Sequence, residues 1–491
     1  MTPLAASVER RTLAPGLSIS RALTGLWQVA DMERDGRTVD LDALASAMRP
    51  YADAGFTTFD MADHYGSAEV VAGRFRAARA TDGVPSVELL TKWVPRPGPV
   101  TRAEAREAVQ RALARLQGRT IDLLQFHAWT FDDPRWLDTL GYLDELRAEG
   151  LIRHLGLTNF DTAHLRIALA SGIPIVSNQV SYSLLDRRAA GRMTTMCQRH
   201  GVQLLAYGTV QGGWLSERWL GKDEPDWGRL ETWSQMKYGR FIRAAGGWEA
   251  LQRLLQVLAV VAARHGVSIA NVASRYVLEQ PAVASVIIGA RLGQSAHVDD
   301  NRRLFSFALS AQDRAEVEAV TATLVAIPGD CGDEYRRPPY LTASGDLSHH
   351  LEELPAPYPV VESADGRQRC VSGTTWETTF GYSRAVRTGN RVLVSGTTAT
   401  HGDRPIGAGD AAAQAHFVID KIEGALRSLG ARLEDVVRTR IFVKELRDWE
   451  AVARAHGERF AHIQPANTLV RAELIGEQYL VEIEAEAEVR A

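Results

Sequence analysis

The 491-residue sequence is poor in cysteine: Cys197, Cys331 and Cys370 are odd in number, far apart and in no CxxC pattern. A disulfide-dense scaffold is excluded, and reduced thiols in a cytoplasmic protein are the simplest reading. No apolar run approaches the ~20 residues needed to span a bilayer. The opening MTPLAASVERRTLAPG lacks the continuous apolar stretch of a signal peptide. A soluble protein with no membrane partner is therefore expected. An excess of either charge is also missing: 56 Lys and Arg against 60 Asp and Glu leave −4. A nucleic-acid partner is not expected from that balance. No metal site is read from the sequence. What remains is ordinary globular composition, 45% apolar and 24% charged. The length suits about three average domains, or one α/β barrel with a smaller companion.

From Thr24 to about Leu324, short apolar runs alternate with amphipathic helical stretches. The runs are TGLWQV (24–29), TTFDMAD (57–63), VELLTKW (87–93), IDLLQFHAW (121–129), IRHLGLTNF (152–160), IPIVSNQVSY (173–182), VQLLAYGT (202–209) and VASVIIGA (283–290). They do not strictly alternate, as strands buried on both faces should not. Between them, Ala105, Val109, Ala112, Leu113 and Leu116 recur at helical spacing behind a Thr101–Glu104 capping box. Eight such units predict a (β/α)8 TIM barrel over 1–326. A doubly wound sheet is the competitor, and the lack of GxGxxG after the first strand counts against it. The segment 210–247, with Trp214, Trp219, Trp227 and Trp233, is long for a loop. It reads either as a lid over the catalytic face or as a helical insertion packed by its own tryptophans. Residues 327–364 crowd Pro, Gly and polar groups and read as an interdomain connector. From 365 to 491, strands (391–397, 435–444, 467–474, 479–489) and helices (414–430, 448–463) predict a separate α+β domain. Its last strand alternates apolar and acidic residues, as in a sheet with one wet face.

Asp60 and Tyr65 lie where the second strand enters its loop, Lys92 ends the third, and His127 lies near the end of the fourth. In a barrel those ends converge on one face. A phenol beside an ammonium held by a carboxylate, with an imidazole to orient an oxygen, can polarise and protonate a carbonyl while a hydride arrives from elsewhere.

At these residues the sequence resembles the aldo-keto reductase family, over about 15–325. GFTTFDMADHYGSAEVVAG matches its signature, with Gly55, Asp60, Tyr65, Glu69 and Gly73 in place; LLTKW supplies Lys92 and LLQFHAW supplies His127. The resemblance implies that Tyr65 is the general acid, that Lys92 and Asp60 lower its pKa, and that His127 orients the carbonyl. It implies NADPH, or less readily NADH, lying extended across the barrel mouth. Thr158, Asn159 and Gln179 would sit near the nicotinamide amide, with Tyr207 stacked on its ring. Gly289, Ala290 and Arg291 would run past the adenosine phosphates, Arg291 reaching a 2′-phosphate, and Asn301 would face the adenine. The family's frequent Lys-Ser pair is Gly-Ala here. Trp27 and Trp129 would either wall the substrate pocket or pack in the core.

The C-terminal part, about 365–491, resembles the Rid (reactive-intermediate deaminase) family. The resemblance implies a chorismate-mutase-like α+β fold, homotrimers, and ligand clefts between subunits. Tyr382 and Glu482 stand at cleft positions. The family's carboxylate-binding Pro-Ala-Arg segment reads Pro465-Ala466-Asn467, and an asparagine cannot make a guanidinium's bidentate contact. The domain is then a trimerisation module, a cleft for an imine or enamine lacking a carboxylate, or an inactive sensor. For the whole chain the expectation is an NADPH-dependent reductase of an aldehyde or ketone. The alternatives are an imine or iminium reductase whose Rid-like domain handles the same C=N species, and a non-catalytic cofactor-sensing scaffold.

Overall fold

The computed structural model describes residues 7–336 and 354–490. Eight parallel strands close a barrel: Ala22–Gly25, Thr58–Asp60, Glu88–Trp93, Ile121–Phe126, Ile152–Thr158, Ile175–Ser181, Gln203–Tyr207 and Val283–Gly289. The eighth returns to the first, with Gly289 opposite Gly25. Because helices cover the outside and side chains fill the inside, the strands are buried on both faces, which is why they read as apolar runs rather than alternations. A hairpin not anticipated from the sequence, Arg10–Ala14 with Leu17–Ser20, stoppers the N-terminal end. Its Leu13, Leu17 and Ile19 meet Leu23, Leu90, Leu123, Leu205 and Ile287 in the barrel interior. The helix Arg102–Arg115 starts on the expected Thr101–Glu104 capping box. The first strand is shorter than its apolar run: it stops at Gly25, and Trp27 opens the short helix Trp27–Met32.

The tryptophan-rich segment packs as a helical insertion on its own tryptophans. Trp214 packs on Trp219 at 4.3 Å and on Trp248 at 5.8 Å between ring centroids, forming an aromatic nucleus. Trp233 stands outside that nucleus and opens the helix Trp233–Ala244, capped by Thr232 and Gln235. That helix delivers Lys237 and Tyr238, both buried, to the barrel mouth.

In the second domain a mixed seven-stranded sheet runs Val360–Glu362, Gln368–Cys370, Ala385–Thr388, Arg391–Thr398, Val481–Glu488, Val436–Val443, Ala466–Arg471 in spatial order. The helices Ala411–Ser428 and Trp449–Phe460 supply its apolar side: Phe417, Ile419, Ile422, Leu426 and Phe460 are buried with Ile441 and Ile483. The other side keeps Glu482, Glu484, Glu486 and Glu488 at least partly exposed, the wet face predicted from alternation.

The two domains meet along helices Thr162–Ala170 and Ala411–Ser428. Asp132 approaches so closely that a Cβ on Gly424 would lie 2.3 Å from its carbonyl oxygen, so only glycine fits there. At the centre of the seam His164 is clamped between two carboxylates, with Nδ1 2.7 Å from Asp161 and Nε2 2.9 Å from Asp420. Its ring stacks on Phe131 at 3.6 Å. Arg459 also binds Asp420, and Arg166 binds Asp410. Burial alone would depress the His164 imidazolium, but Asp161 and Asp420 outweigh it and lift the pKa to about 9. A histidine whose folded pKa is raised contributes stability that is fully present below its unfolded pKa of ~6.5 and fades as pH climbs through 9. The unfolding midpoint in urea is therefore expected to fall between pH 6.5 and 9. Asp420→Ala, which strips the shared carboxylate from His164 and Arg459, is expected to cost roughly 3–5 kcal/mol and flatten that pH dependence. An unchanged slope in the variant would refute this view of the seam.

Candidate active site

Asp60 ends the second barrel strand with its carboxylate 3% exposed, so its charge must be answered locally. Lys92 answers it: Nζ donates to Asp60 Oδ2 at 2.7 Å and to the Met61 carbonyl at 2.9 Å. Two amides complete the shell, Gln125 and Gln179 donating to Oδ1 at 3.0 and 2.8 Å. Gln179 also donates to Gln125 Oε1 at 2.9 Å, so the two amides brace each other. Each of these side chains sits at a strand end, where the barrel brings consecutive strands to a common centre.

Tyr65, in the loop after the second strand, lies over this cluster, its ring centroid 5.0 Å from Lys92 Nζ. The direction of its pKa differs from the expectation. Burial, with the Asp60 charge adding to it, holds the phenol well above 10. The reason is geometric: the Lys92 ammonium is turned to Asp60 and Met61, and Asp60 adds negative charge near a phenol that would become an anion. Lys92 is itself held below its ordinary value, burial outweighing Asp60. His127 is buried, and its Nε2 has no hydrogen-bond partner among the described residues. Burial first, then the Arg336 charge, hold it well below 6.5 as a neutral imidazole. Trp129 packs 4.7 Å from the His127 ring, and Trp27 lies under Lys237 Nζ at 5.6 Å, so both border the mouth.

Around this centre lie Thr158, Asn159 and Tyr207. Asn159 holds φ +56°, an uncommon conformation for a side-chain-bearing residue, and its Oδ1 accepts from the Tyr207 hydroxyl at 2.7 Å. Thr158 Oγ1 is buried and without a partner among the described residues. Gly289 ends the last strand beside Gln28, whose Oε1 is buried and without a partner among the described residues, and Ala290 follows it. These orphaned polar atoms around a strained asparagine suit the carboxamide and phosphate edges of a nicotinamide nucleotide. Arg291 is engaged with Asp31 and with Gln294 at 3.1 Å. Asn301 lies half-buried in the helix Val298–Arg303.

Four residues that sequence reasoning passed over complete the mouth. The segment after the barrel, read as connector, folds back across it: Glu334 Oε2 accepts from Arg188 at 2.8 Å and Oε1 lies 2.9 Å from the Tyr207 hydroxyl, competing with Asn159 Oδ1 for its one proton. Arg336 donates to the Asn159 carbonyl at 2.7 Å. Gly332 allows this approach, since a Cβ there would lie 2.1 Å from the same carbonyl oxygen. Tyr335 stands edge-on to His127 at 5.4 Å, and Lys237 Nζ donates to its hydroxyl at 2.6 Å. Lys237 is thereby enclosed by Trp27, Tyr207, Tyr238 and Tyr335, all within 6 Å of its ammonium. Only Gly329, Gly332 and the acidic pair followed by the arginine pair in GDEYRR could have signalled a docked segment.

The second domain does not assemble its three candidate cleft residues within one chain. Tyr382 is exposed with Arg384 5.6 Å over its ring. Glu482 is half-buried on the open face, its carboxyl raised chiefly by burial. Asn467 instead donates at 2.9 Å to the fully buried Thr439, which faces the helices. Asn467 and Glu482 thus serve opposite faces of the sheet, because strand alternation sets them out of phase.

Comparison with known proteins accords with this geometry. Residues 23–322 match the family model described as Aldo/keto reductase family, and residues 374–489 the model described as Endoribonuclease L-PSP. Protein tas of Escherichia coli strain K12 is 33% identical over 241 residues, 45% of this chain and 67% of that protein. An uncharacterized Streptomyces coelicolor protein is 39% identical over 126 residues, 26% of this chain and 94% of its own length. Among solved structures, the glycerol dehydrogenase of Gluconobacter oxydans aligns over 67% of this chain and 98% of its own with a TM-score of 0.52 and 24% identity, a likeness of fold. The chain belongs to the aldo/keto reductase family, with a Rid-type domain joined behind its barrel.

Proposed function

We propose that the barrel is an NADPH-dependent reductase of aldehydes or ketones, with Tyr65 as general acid. The observation that carries this reading is the buried Asp60–Lys92 pair beneath Tyr65, with His127 Nε2 beside it, unpartnered among the described residues. When bound, a reduced nicotinamide supplies a hydride. Thr158, Asn159 and Gln179 would hold its amide, Tyr207 its ring, Gly289, Ala290 and Arg291 its phosphates, and Asn301 its adenine. Arg291 favours NADPH by its charge, provided it exchanges Asp31 for a 2′-phosphate.

The chain's own part in the chemistry follows from protonation states. His127 is neutral, so it donates one hydrogen bond to a substrate oxygen without adding a full charge. The raised pKa of Tyr65 keeps the phenol protonated at neutral pH, ready to give its proton to the oxygen that gains negative charge. Lys92 receives the field of that event: it lies 5.0 Å from the Tyr65 ring and tempers the phenolate left behind. Trp27, Trp129 and Tyr335 wall the site and exclude water, which strengthens each of these interactions.

The Rid-type domain we assign to trimer formation, supported by the exposed apolar groups Leu393, Val437 and Val470 set among the charges of its open face. A second reading changes the bond reduced from C=O to C=N, favoured by the close packing of a Rid-type domain on the barrel. A protonated iminium needs less acid help, so one variant separates the two readings.

Tyr65→Phe is expected to lower kcat/KM for carbonyl reduction by ~10²–10⁴ while cofactor fluorescence quenching is retained. Much smaller loss with an iminium substrate would support the second reading; full activity on carbonyls would remove Tyr65 from the mechanism. Because His127 is already neutral and Tyr65 still protonated, kcat/KM for reduction is expected to show no inflection near 6.5 and to fall only at strongly alkaline pH. An activity that switches on or off across pH 6–7 would contradict the assigned protonation states.

A further inference from the structure

A cavity of about 170 Å³ lies on the seam between the domains, walled by Asp133–Arg135 of the barrel, Pro357–Pro359 of the connecting chain, and parts of the second domain including Thr374 and Lys421. It is comparable to the ~150 Å³ cavities that accept a benzene ring. It is remote in role from the barrel mouth and uses none of Tyr382, Asn467 or Glu482.

Its wall is unusual in the hydrogen bonds left over. Lys421 is 3% exposed, and Nζ donates to the carbonyls of Thr398 at 3.2 Å and Thr400 at 2.6 Å. An ammonium has three donors, and among the described residues no carboxylate lies within ion-pair reach of this one. Two hydroxyls share the wall: Tyr358 and Thr374 are each 6% exposed, and neither oxygen has a hydrogen-bond partner among the described residues. Leaving buried polar atoms unmet is costly, and three residues that line one small cavity carry donors to spare. The carboxylate that does line the cavity is already paired. Asp133 gives Oδ1 and Oδ2 to Arg135 at 2.7 and 2.6 Å. His401 is likewise taken, by Asp138 at 2.6 Å.

We propose that this cavity binds a small carboxylate, held by the Lys421 ammonium and the Tyr358 and Thr374 hydroxyls. Pro134, Pro357, Pro359 and Val371 give the rest of the pocket an apolar surface suited to a short carbon chain or ring. The state of Lys421 agrees. Burial, with the Arg384 charge behind it and Glu377 opposing, brings its pKa to about 7, so an anion arriving in the cavity supplies the countercharge the amine lacks. Because the pocket is built from both domains, an occupant ties them together.

The test uses the full chain, titrated calorimetrically with sodium acetate, sodium pyruvate and inorganic phosphate at constant ionic strength, with thermal unfolding in parallel. Saturable binding of acetate or pyruvate that raises the unfolding midpoint is expected. Lys421→Met is expected to weaken it by at least about tenfold, and Tyr358→Phe by several fold. If Lys421→Met does not fold, Tyr358→Phe decides. Both variants should keep cofactor quenching at the barrel, which separates this site from the proposed reductase centre. No saturable binding of either carboxylate up to about 50 mM, or equal affinity in wild type and both variants, overturns the proposal. Binding of phosphate alone overturns the carboxylate assignment.

Discussion

One buried charge organises the barrel's catalytic end. Asp60 cannot be left ionised in a low-dielectric interior without partners, and Lys92, Gln125 and Gln179 are drawn from three other strands to meet it. Replacing such a pair with apolar residues is often neutral or even stabilising in other proteins, so its presence is better explained by what it does for its surroundings. Here it fixes the register of four strand ends and sets a positive and a negative group under one phenol. Tyr65 stays protonated because both burial and Asp60 oppose its ionisation. In the proposed reaction, the ammonium would then favour the phenolate only once a proton has left.

The same accounting extends outward from that pair. Glu334 is neutralised by Arg188 and bonded by Tyr207, Arg336 by backbone carbonyls around Asn159, and Lys237 by aromatic faces and the Tyr335 hydroxyl. Arg336 stacks 4.3 Å over Phe131, whose ring also stacks on His164 in the domain seam. The barrel mouth and the second domain are therefore joined by a continuous chain of packed and paired groups. Such a chain is a physical connection between sites; energetic coupling along it is a separate property.

Asp60, Tyr65, Lys92 and His127 were legible in the sequence because each lies in a short local pattern at a strand end, and barrel topology then brings the patterns together. Asn159, Gln179 and Tyr207 entered only through the family resemblance, which set them against a nicotinamide; the fold turns Gln179 to Asp60 and joins Tyr207 to Asn159. Gln125, two residues before His127, was overlooked because an amide inside an apolar strand gives no local sign of the carboxylate it faces. Lys237 and Glu334–Arg336 were hidden more deeply. Their placement depends on partners roughly one to two hundred residues away, and long-range ion pairs leave no periodicity. The alternating last strand announced a sheet with one wet face, yet the phase of Asn467 depends on a parallel pairing with Val436–Val443 that alternation alone does not reveal.

The central claim is that the Asp60 carboxylate sustains the proton-donating centre rather than merely holding the barrel shut. Single-turnover oxidation of bound NADPH by a small aldehyde in Asp60→Asn, an isosteric change that removes the charge and turns one acceptor oxygen into a donor amide, is the decisive measurement. The account predicts a fall in the hydride-transfer rate of at least about a hundredfold with an intact barrel by circular dichroism. A rate within a few fold of the wild type would contradict it.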